Sequence, residues 1–435
     1  MKTLKQKTAN SQRKFLSSTD WSFKEKTTKN EYHKIHNYPA TFPPQLATKL
    51  ITELTKPGDL ILDIFCGSGT TLLEAQIANR KAIGMDLNPL AHLISSVKTE
   101  KYDIIKLKTE AKKIKARIES LRKPILVKIN EDYWFDESTF NSLKNVKLIL
   151  DTIEGESYRN FFYVALSEIV RKVSLLKHSG FKMHKDKSKK AAFNIEELCS
   201  RFFFPQIEKN ILKFEKLNEF KRPHETKVFL QDSRILNPQV RKNSVQLVLT
   251  SPPYGDSRTT VAYGEFSRLS LEVLDLGNKK YEPLDSKLLG GKRDKNSVED
   301  FLELNLKEIH KINVAFKKLI KTEKDETKKN KVRRRRLDVL SFYNDLEKSF
   351  CNAKKYLKKG GHLAVIIANR NVLGVKLNSK KILNEILEKH SLVYLESQQR
   401  EILKKRMPSV VNAKNMKGDR TPTMTNENIL LYQLR

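Results

Sequence analysis

Two short segments carry residue types and spacings suited to chemistry. In TSPPY, residues 250–254, a hydroxyl, two rigid rings and an aromatic plate close the apolar run VQLVL. A proline cannot donate to a sheet ladder, so the strand must stop at Pro252 and Pro253, leaving Ser251 and Tyr254 on a stiff, nearly extended turn. The second segment, LILDIFCGSGTT at 60–71, reads as a strand, a glycine-rich turn and a helix opening at Thr70 or Thr71. Gly67 and Gly69 permit positive φ and carry no Cβ to block a ligand from the backbone. The helix start behind them offers unpaired N–H groups to an anion. Asp63 ends that strand, and Asp86 ends the next one 23 residues later, where a doubly wound fold holds ribose hydroxyls. Asp232, in FLQDS, ends a third strand within reach of an adenine amino group. Leu72 stands where a dinucleotide fingerprint has its third glycine, and no Walker lysine follows the loop. The pattern therefore points to a nucleoside cofactor that is neither a dinucleotide nor a nucleoside triphosphate.

Seven short apolar runs must position these groups: LILDIF (60–65), AIGMDL (82–87), KVFLQD (227–232), VQLVLTS (245–251), HLAVIIAN (362–369), LVYLES (392–397) and NILLYQL (428–434). Several are continuous, as strands buried on both faces are. Helical patterns lie between most of them, including TLLEAQIANR and FYNDLEKSFCNAKKYLKKGG, the latter expected to cap at Gly360 and Gly361. The alternation argues for an α/β, doubly wound, seven-stranded sheet. Two blocks interrupt it: a mostly helical insertion at 100–226, and a charged one at about 257–340 containing KKNKVRRRRL. The expected organisation is a flexible basic arm (1–32), a cofactor-binding half (33–99), the helical insertion, and a catalytic half (227–435). Together the two insertions are expected to wall a nucleic-acid face.

Lys plus Arg number 84 against 51 Asp plus Glu, a formal charge of +33, which calls for an anionic partner, nucleic acid first. No apolar run approaches membrane-spanning length, and MKTLKQKTANSQRKFLSS lacks the apolar core of a secretory signal. Three scattered cysteines suit a reducing cytoplasm, and the nine histidines show no ligand spacing, so no metal is assigned.

FCGSGTT with GMDLNP and TSPPYG resembles the S-adenosylmethionine-dependent DNA amino-methyltransferases, which modify exocyclic nitrogens of cytosine or adenine. The likeness covers roughly 33–99 and 227–435. It places the cofactor half before the catalytic half, whereas the common permuted order puts the turn first. It implies S-adenosylmethionine as cofactor, held by Phe42, Pro43, Asp63, Phe65, Cys66, Gly67, Gly69, Thr70, Thr71, Asp86 and Asp232. It also implies double-stranded DNA as partner, a target base flipped out of the duplex, and membership of a type II restriction-modification system beside a cognate endonuclease. On this likeness the Ser251 hydroxyl and Pro252 carbonyl accept hydrogen bonds from the amine, Pro253 stiffens the turn, and Tyr254 stacks on the base. Arg258 and Tyr263, with Asp256, are candidates for contact with the base or flanking strand, and Arg333, Arg334, Arg335 and Arg336 for phosphate contact. A leading serine in the turn favours N4 of cytosine over N6 of adenine. No cysteine follows a proline, which sets aside thiolate-dependent C5 chemistry. The rivals are an RNA base methyltransferase, whose turn usually opens with Asn or Asp, and a basic DNA-binding protein with a decayed transferase core.

Overall fold

The computed structural model describes residues 15–16, 19–23, 31–121, 125–126, 133–177, 182–256, 260–277, 283–402, 410–412, 420–422 and 425–435. The strands of its main sheet are β1 (Leu60–Asp63), β2 (Lys81–Asp86), β3 (Thr226–Leu230), β4 (Val245–Thr250), β5 (Leu357–Ile367), β6 (Leu392–Glu401) and β7 (Asn426–Leu434). They run in the order β3-β2-β1-β4-β5-β7-β6. The first five pair in parallel, and β7 inserts antiparallel between β5 and β6. Each strand matches one of the seven apolar runs. The order reverses beside β1 and β4, so the loop after β1 and the turn after β4 leave neighbouring strand ends at a topological switch point.

The central strands are buried on both faces, and successive residues serve different layers. Ile61, Leu247, Leu249, Ala364 and Ile366 pack with Leu46 and Leu50 of α1 (Pro44–Leu54) and with Leu72 and Ala75 of α2 (Thr70–Ile77). Leu62, Val248, Leu363 and Val365 share the opposite core. After β2, α3 (Pro89–Thr99) starts on Asn88, whose side chain caps the Leu90 N–H at 3.0 Å.

The stretch 100–226 contains α4 (Ile104–Glu119), α5 (Glu137–Asp151), α6 (Glu156–Val173) and α7 (Phe204–Asn218). Its core, with Phe161, Phe162, Phe203 and Phe214, is continuous with Leu90, Leu93 and Ile94 of α3. The second interruption divides. Its α8 (Tyr263–Val273) joins that helical core through Phe266 and Leu269. By contrast α9 (Lys295–Glu303), α10 (Lys307–Thr322) and α11 (Glu326–Tyr356) bury Phe301, Phe316 and Phe342 in the core on the other side of the sheet. Part of the second block thus shares a layer with the first, and the rest packs on the opposite side of the sheet.

Three expectations need correction. The RRRR run and FYNDLEKSFCNAKKY lie on a single helix of 31 residues, α11, so 340 is no structural boundary. That helix ends at Tyr356, before the glycine pair: the Lys355 and Tyr356 carbonyls accept from Asn243 and Ser244 N–H at 3.2 and 2.9 Å, and Leu357 already belongs to β5. Part of the expected flexible arm is docked. Leu16 and Trp21 are buried against the sheet, and the Leu16 N–H donates to Glu396 of β6 at 3.2 Å.

Candidate active site

Asp63, at the end of β1, is buried. One carboxylate oxygen accepts from Thr250 Oγ1 (2.6 Å) and the Phe65 N–H (3.1 Å), the other from Thr71 Oγ1 (2.7 Å). It therefore ties β1 to β4 and α2. Burial raises its pKa to about 6, against the pull of those donors. Neither Asp63 nor Thr71 lines the pocket above them, so both expected cofactor ligands are internal struts. Gly69 caps α2 with φ +76°, and a Cβ there would stand 2.9 Å from the Ser95 Cβ, so the loop lies flat against α3 only with glycine. The Gly67 N–H donates to Asp86 Oδ2 at 2.9 Å, and the Asn88 N–H to Asp86 Oδ1 at 2.9 Å. Burial lifts the Asp86 pKa to about 6 in spite of these bonds. Burial, then the Asp86 and Asp63 charges, hold the Cys66 thiol well above its usual range, which removes it as a nucleophile.

These groups floor a pocket whose wall includes Phe42, Phe65, Cys66, Gly67, Thr70, Asp86, Asp232, Ser251 and Pro253. Of the expected residues, Pro43, Asp63, Gly69, Thr71, Pro252 and Tyr254 do not line it. Pro43 instead serves as the N-cap residue of α1. Asp232 is gripped by Arg234 (Nη2–Oδ2 2.7 Å), which also pairs with Asp345 at 2.9 Å. Tyr263, expected to face DNA, forms part of the pocket wall and stacks on Tyr38 with ring centroids 6.0 Å apart. The Tyr38 hydroxyl accepts from Asn88 Nδ2 at 3.1 Å, and Asn88 also reaches Ser267 Oγ at 2.7 Å. Tyr38, Asn88 and Arg234 are not marked by any sequence spacing, because each also works through a group distant in the chain: Asn88 for Tyr38, Ser267 for Asn88 and Asp345 for Arg234.

The turn after β4 is held from three sides. The Ser251 hydroxyl donates to the Ile366 carbonyl of β5 at 3.2 Å. The Tyr254 hydroxyl donates to Glu427 of β7, which is paired in turn with buried Arg400 of β6 at 3.0 Å. Burial first, then the Glu427 charge, raise the Tyr254 pKa well above its usual value, so it stays a neutral donor. Behind the turn the Arg370 guanidinium lies against Gly255, where a Cβ would stand 1.5 Å from Nη1. Asp256 is buried between Arg370 (3.6 Å) and Arg335 (3.9 Å), so it braces the turn and does not reach for a base.

Comparison with known proteins decides the family. The chain is 34% identical over 430 residues to the type II methyltransferase M.MvaI of Kocuria varians, spanning 93% of this chain and 92% of that protein. The chain belongs to the type II DNA amino-methyltransferases. Its residues 2–96 match the family model described as DNA methylase. It is also 26% identical over 289 residues to M.BsoBI of Geobacillus stearothermophilus (59% of this chain, 55% of that protein). A third match, 43% over 84 residues, is to M.MjaII of Methanocaldococcus jannaschii (19% of this chain, 16% of that protein). S-adenosylmethionine is the methyl donor of this methyltransferase, and DNA is its substrate.

The residues expected to meet DNA are dispersed. Arg258 lies outside the described residues. Arg333 pairs with Glu326, Arg335 with Asp338 (3.1 Å), and Arg336 bonds Asn313 (2.6 Å); Arg334 is exposed. The run is thus no single cationic patch, because consecutive helix residues point about 100° apart. Away from the pocket, Glu347, Cys351 and His390 converge, with His390 Nε2 at 2.6 Å from Glu347, a juxtaposition that histidine spacing alone does not reveal. Among the described residues, no helix is long and apolar enough to cross a membrane.

Proposed function

We propose that this methyltransferase modifies the exocyclic N4 of cytosine in duplex DNA, with the target base swung out of the helix to the mouth of the pocket. Its role would be to protect a recognition site against a cognate restriction endonuclease. The observation that carries the reading is a single pocket walled by Ser251 and Pro253 on one side and by Phe42, Phe65, Gly67, Asp86 and Asp232 on the other.

The residues suit S-adenosylmethionine, which when bound supplies an electrophilic methyl group on sulfur. The loop presents backbone without side-chain bulk, Asp86 offers carboxylate lone pairs to ribose hydroxyls, and Phe42 and Phe65 supply apolar plates. Asp232, already clamped by Arg234, retains lone pairs for an adenine amino group. Ser251 gives its own proton to Ile366, so its lone pairs are left to accept an N–H of the target amine. With the Pro252 carbonyl as second acceptor, that would draw the nitrogen toward sp³ and aim its lone pair at the methyl group. Tyr254, oriented by Glu427, would stack on the extruded base. Rate enhancement on this reading comes from placing two reactants, with no covalent enzyme intermediate.

Cytosine is favoured over adenine because the turn opens with serine, which in the resemblance to the amino-methyltransferases goes more often with cytosine, as aspartate or asparagine goes with adenine. Nucleoside digestion and mass spectrometry of DNA methylated in vitro test this. N4-methylcytosine is expected; N6-methyladenine as the only product refutes it.

A further inference from the structure

A second, smaller cavity adjoins the pocket. His33, His36, Thr41, Phe42, Pro44, Ser68, Thr70 and Lys98 line it, and four of these, Thr41, Phe42, Ser68 and Thr70, line the cofactor pocket as well. The two therefore adjoin at Phe42 and the glycine-rich loop. Lys98, on the last turn of α3, is only 1% exposed, and its ammonium donates to Ser68 Oγ at 3.2 Å directly beneath the loop. Both ring nitrogens of buried His36 lack a hydrogen bond of ordinary geometry, the nearest carboxylate being Glu168 at 3.6 Å. Burial, aided by the Lys172 and Lys98 charges and opposed by Glu168, lowers the His36 pKa, so the ring is a neutral polar group. The helices α1 and α2 both begin at this wall, at Pro44 and Thr70, and add positive partial charge.

We infer that Lys98 and Ser68 form the subsite for the α-carboxylate of the cofactor's methionine end. The assignment rests on the reading of the main pocket as the S-adenosylmethionine site. With Asp86 on the ribose and the sulfonium facing Ser251, the amino-acid end needs an anion-binding group, and the adjoining cavity supplies a cation screened from water. Two other cations border the main pocket. Arg234 is engaged by Asp232 and Asp345, and Lys287 lies in the Leu288–Leu289 segment, near Arg234 and away from the small cavity. The carboxylate would accept from the Lys98 ammonium and the Ser68 hydroxyl, charge-assisted bonds strengthened by burial. The subsite would thereby distinguish the intact cofactor from nucleosides that share its adenosine and sulfur but lack the amino-acid end.

Calorimetry with two ligands tests this: S-adenosylhomocysteine, which keeps the carboxylate, and 5′-methylthioadenosine, which does not. Lys98→Met should weaken S-adenosylhomocysteine binding about ten- to hundredfold and leave 5′-methylthioadenosine unchanged. Ser68→Ala, which keeps the lysine packed, should show a smaller loss with the same selectivity. Equal weakening of both ligands, or no weakening of either, overturns the assignment. Failure of the unaltered protein to bind either ligand would instead overturn the reading of the main pocket, and the subsite with it.

Discussion

Replacing Gly255 by alanine should cripple transfer while sparing cofactor binding. The new Cβ would stand 1.5 Å from Arg370 Nη1 and 2.1 Å from its Cζ, so the guanidinium must leave or the turn must move. The Arg370 side chain is 5% exposed and its partner Asp256 2%, so the pair has no water to retreat into. Breaking a buried pair costs at most about 3–5 kcal/mol, and Arg335, 3.9 Å from Asp256, keeps part of that compensation in place. If the turn yields instead, Ser251 shifts relative to the methyl donor, and a displacement of about 1 Å costs on the order of a hundredfold in rate. Both routes lower kcat. Affinity for S-adenosylhomocysteine should hold, because Gly67 lies in the loop after β1 and Asp86 ends β2, both away from the Gly255 turn. Transfer of labelled methyl groups to DNA, calorimetry and urea unfolding would be read together. Because Gly255 and Arg370 act as one contact, Gly255→Ala/Arg370→Ala should lose less than the sum of the single losses. A Gly255→Ala enzyme with near-normal kcat and unfolding midpoint would refute the reasoning.

Two further outcomes follow from the carboxylates. Ribose hydroxyls donating to Asp86 favour its charged form, so the bound pKa lies below the free value of about 6. S-adenosylhomocysteine affinity should then be flat above that pH and fall by up to about tenfold per unit below it. Calorimetry from pH 5 to 8 should show this slope vanish in Asp86→Asn, and a slope that survives would remove Asp86 from the ribose. Tyr254→Phe should lose about 1.5–3 kcal/mol of stability, the value of a hydrogen bond to a charged acceptor, and keep a stacking ring. Glu427→Gln should lose more, because it also strips the partner from buried Arg400. Chemical denaturation ranks the two, and equal losses would mean that Arg400 does not depend on Glu427.

Much of this was legible in the residues because the signals are local. The seven strands could be read from apolar runs of strand length, and the loop and turn announce themselves through glycine and proline, whose backbone constraints hold in any context. The braces were not legible. Arg370, Glu427 and Arg400 sit on other strands more than a hundred residues from the turn, and no spacing rule links them to it. Asp63 and Asp86 look alike in sequence, each ending a strand, yet one faces the interior hydroxyls of Thr71 and Thr250 and the other the pocket. Tyr263 was misread for a similar reason: proximity to the turn in sequence suggested DNA, whereas α8 folds it back onto Tyr38. The basic arm was judged on average composition, while two residues, Leu16 and Trp21, are enough to dock a short stretch of it.

The position of β7 has a consequence for how the enzyme is made. Translation delivers β7 latest of the seven strands, yet β7 lies between β5 and β6 and brings Glu427 to Tyr254. A nascent chain can therefore assemble β1 to β5, the glycine-rich loop and Asp86 on the ribosome while Tyr254 still lacks its anchor. At about 5–20 residues per second, the interval between the completion of β5 at Ile367 and the appearance of Glu427 is roughly three to twelve seconds. During that time the emerging protein could bind its cofactor before it could methylate, and the edges of β5 and β6 would remain open to mispairing.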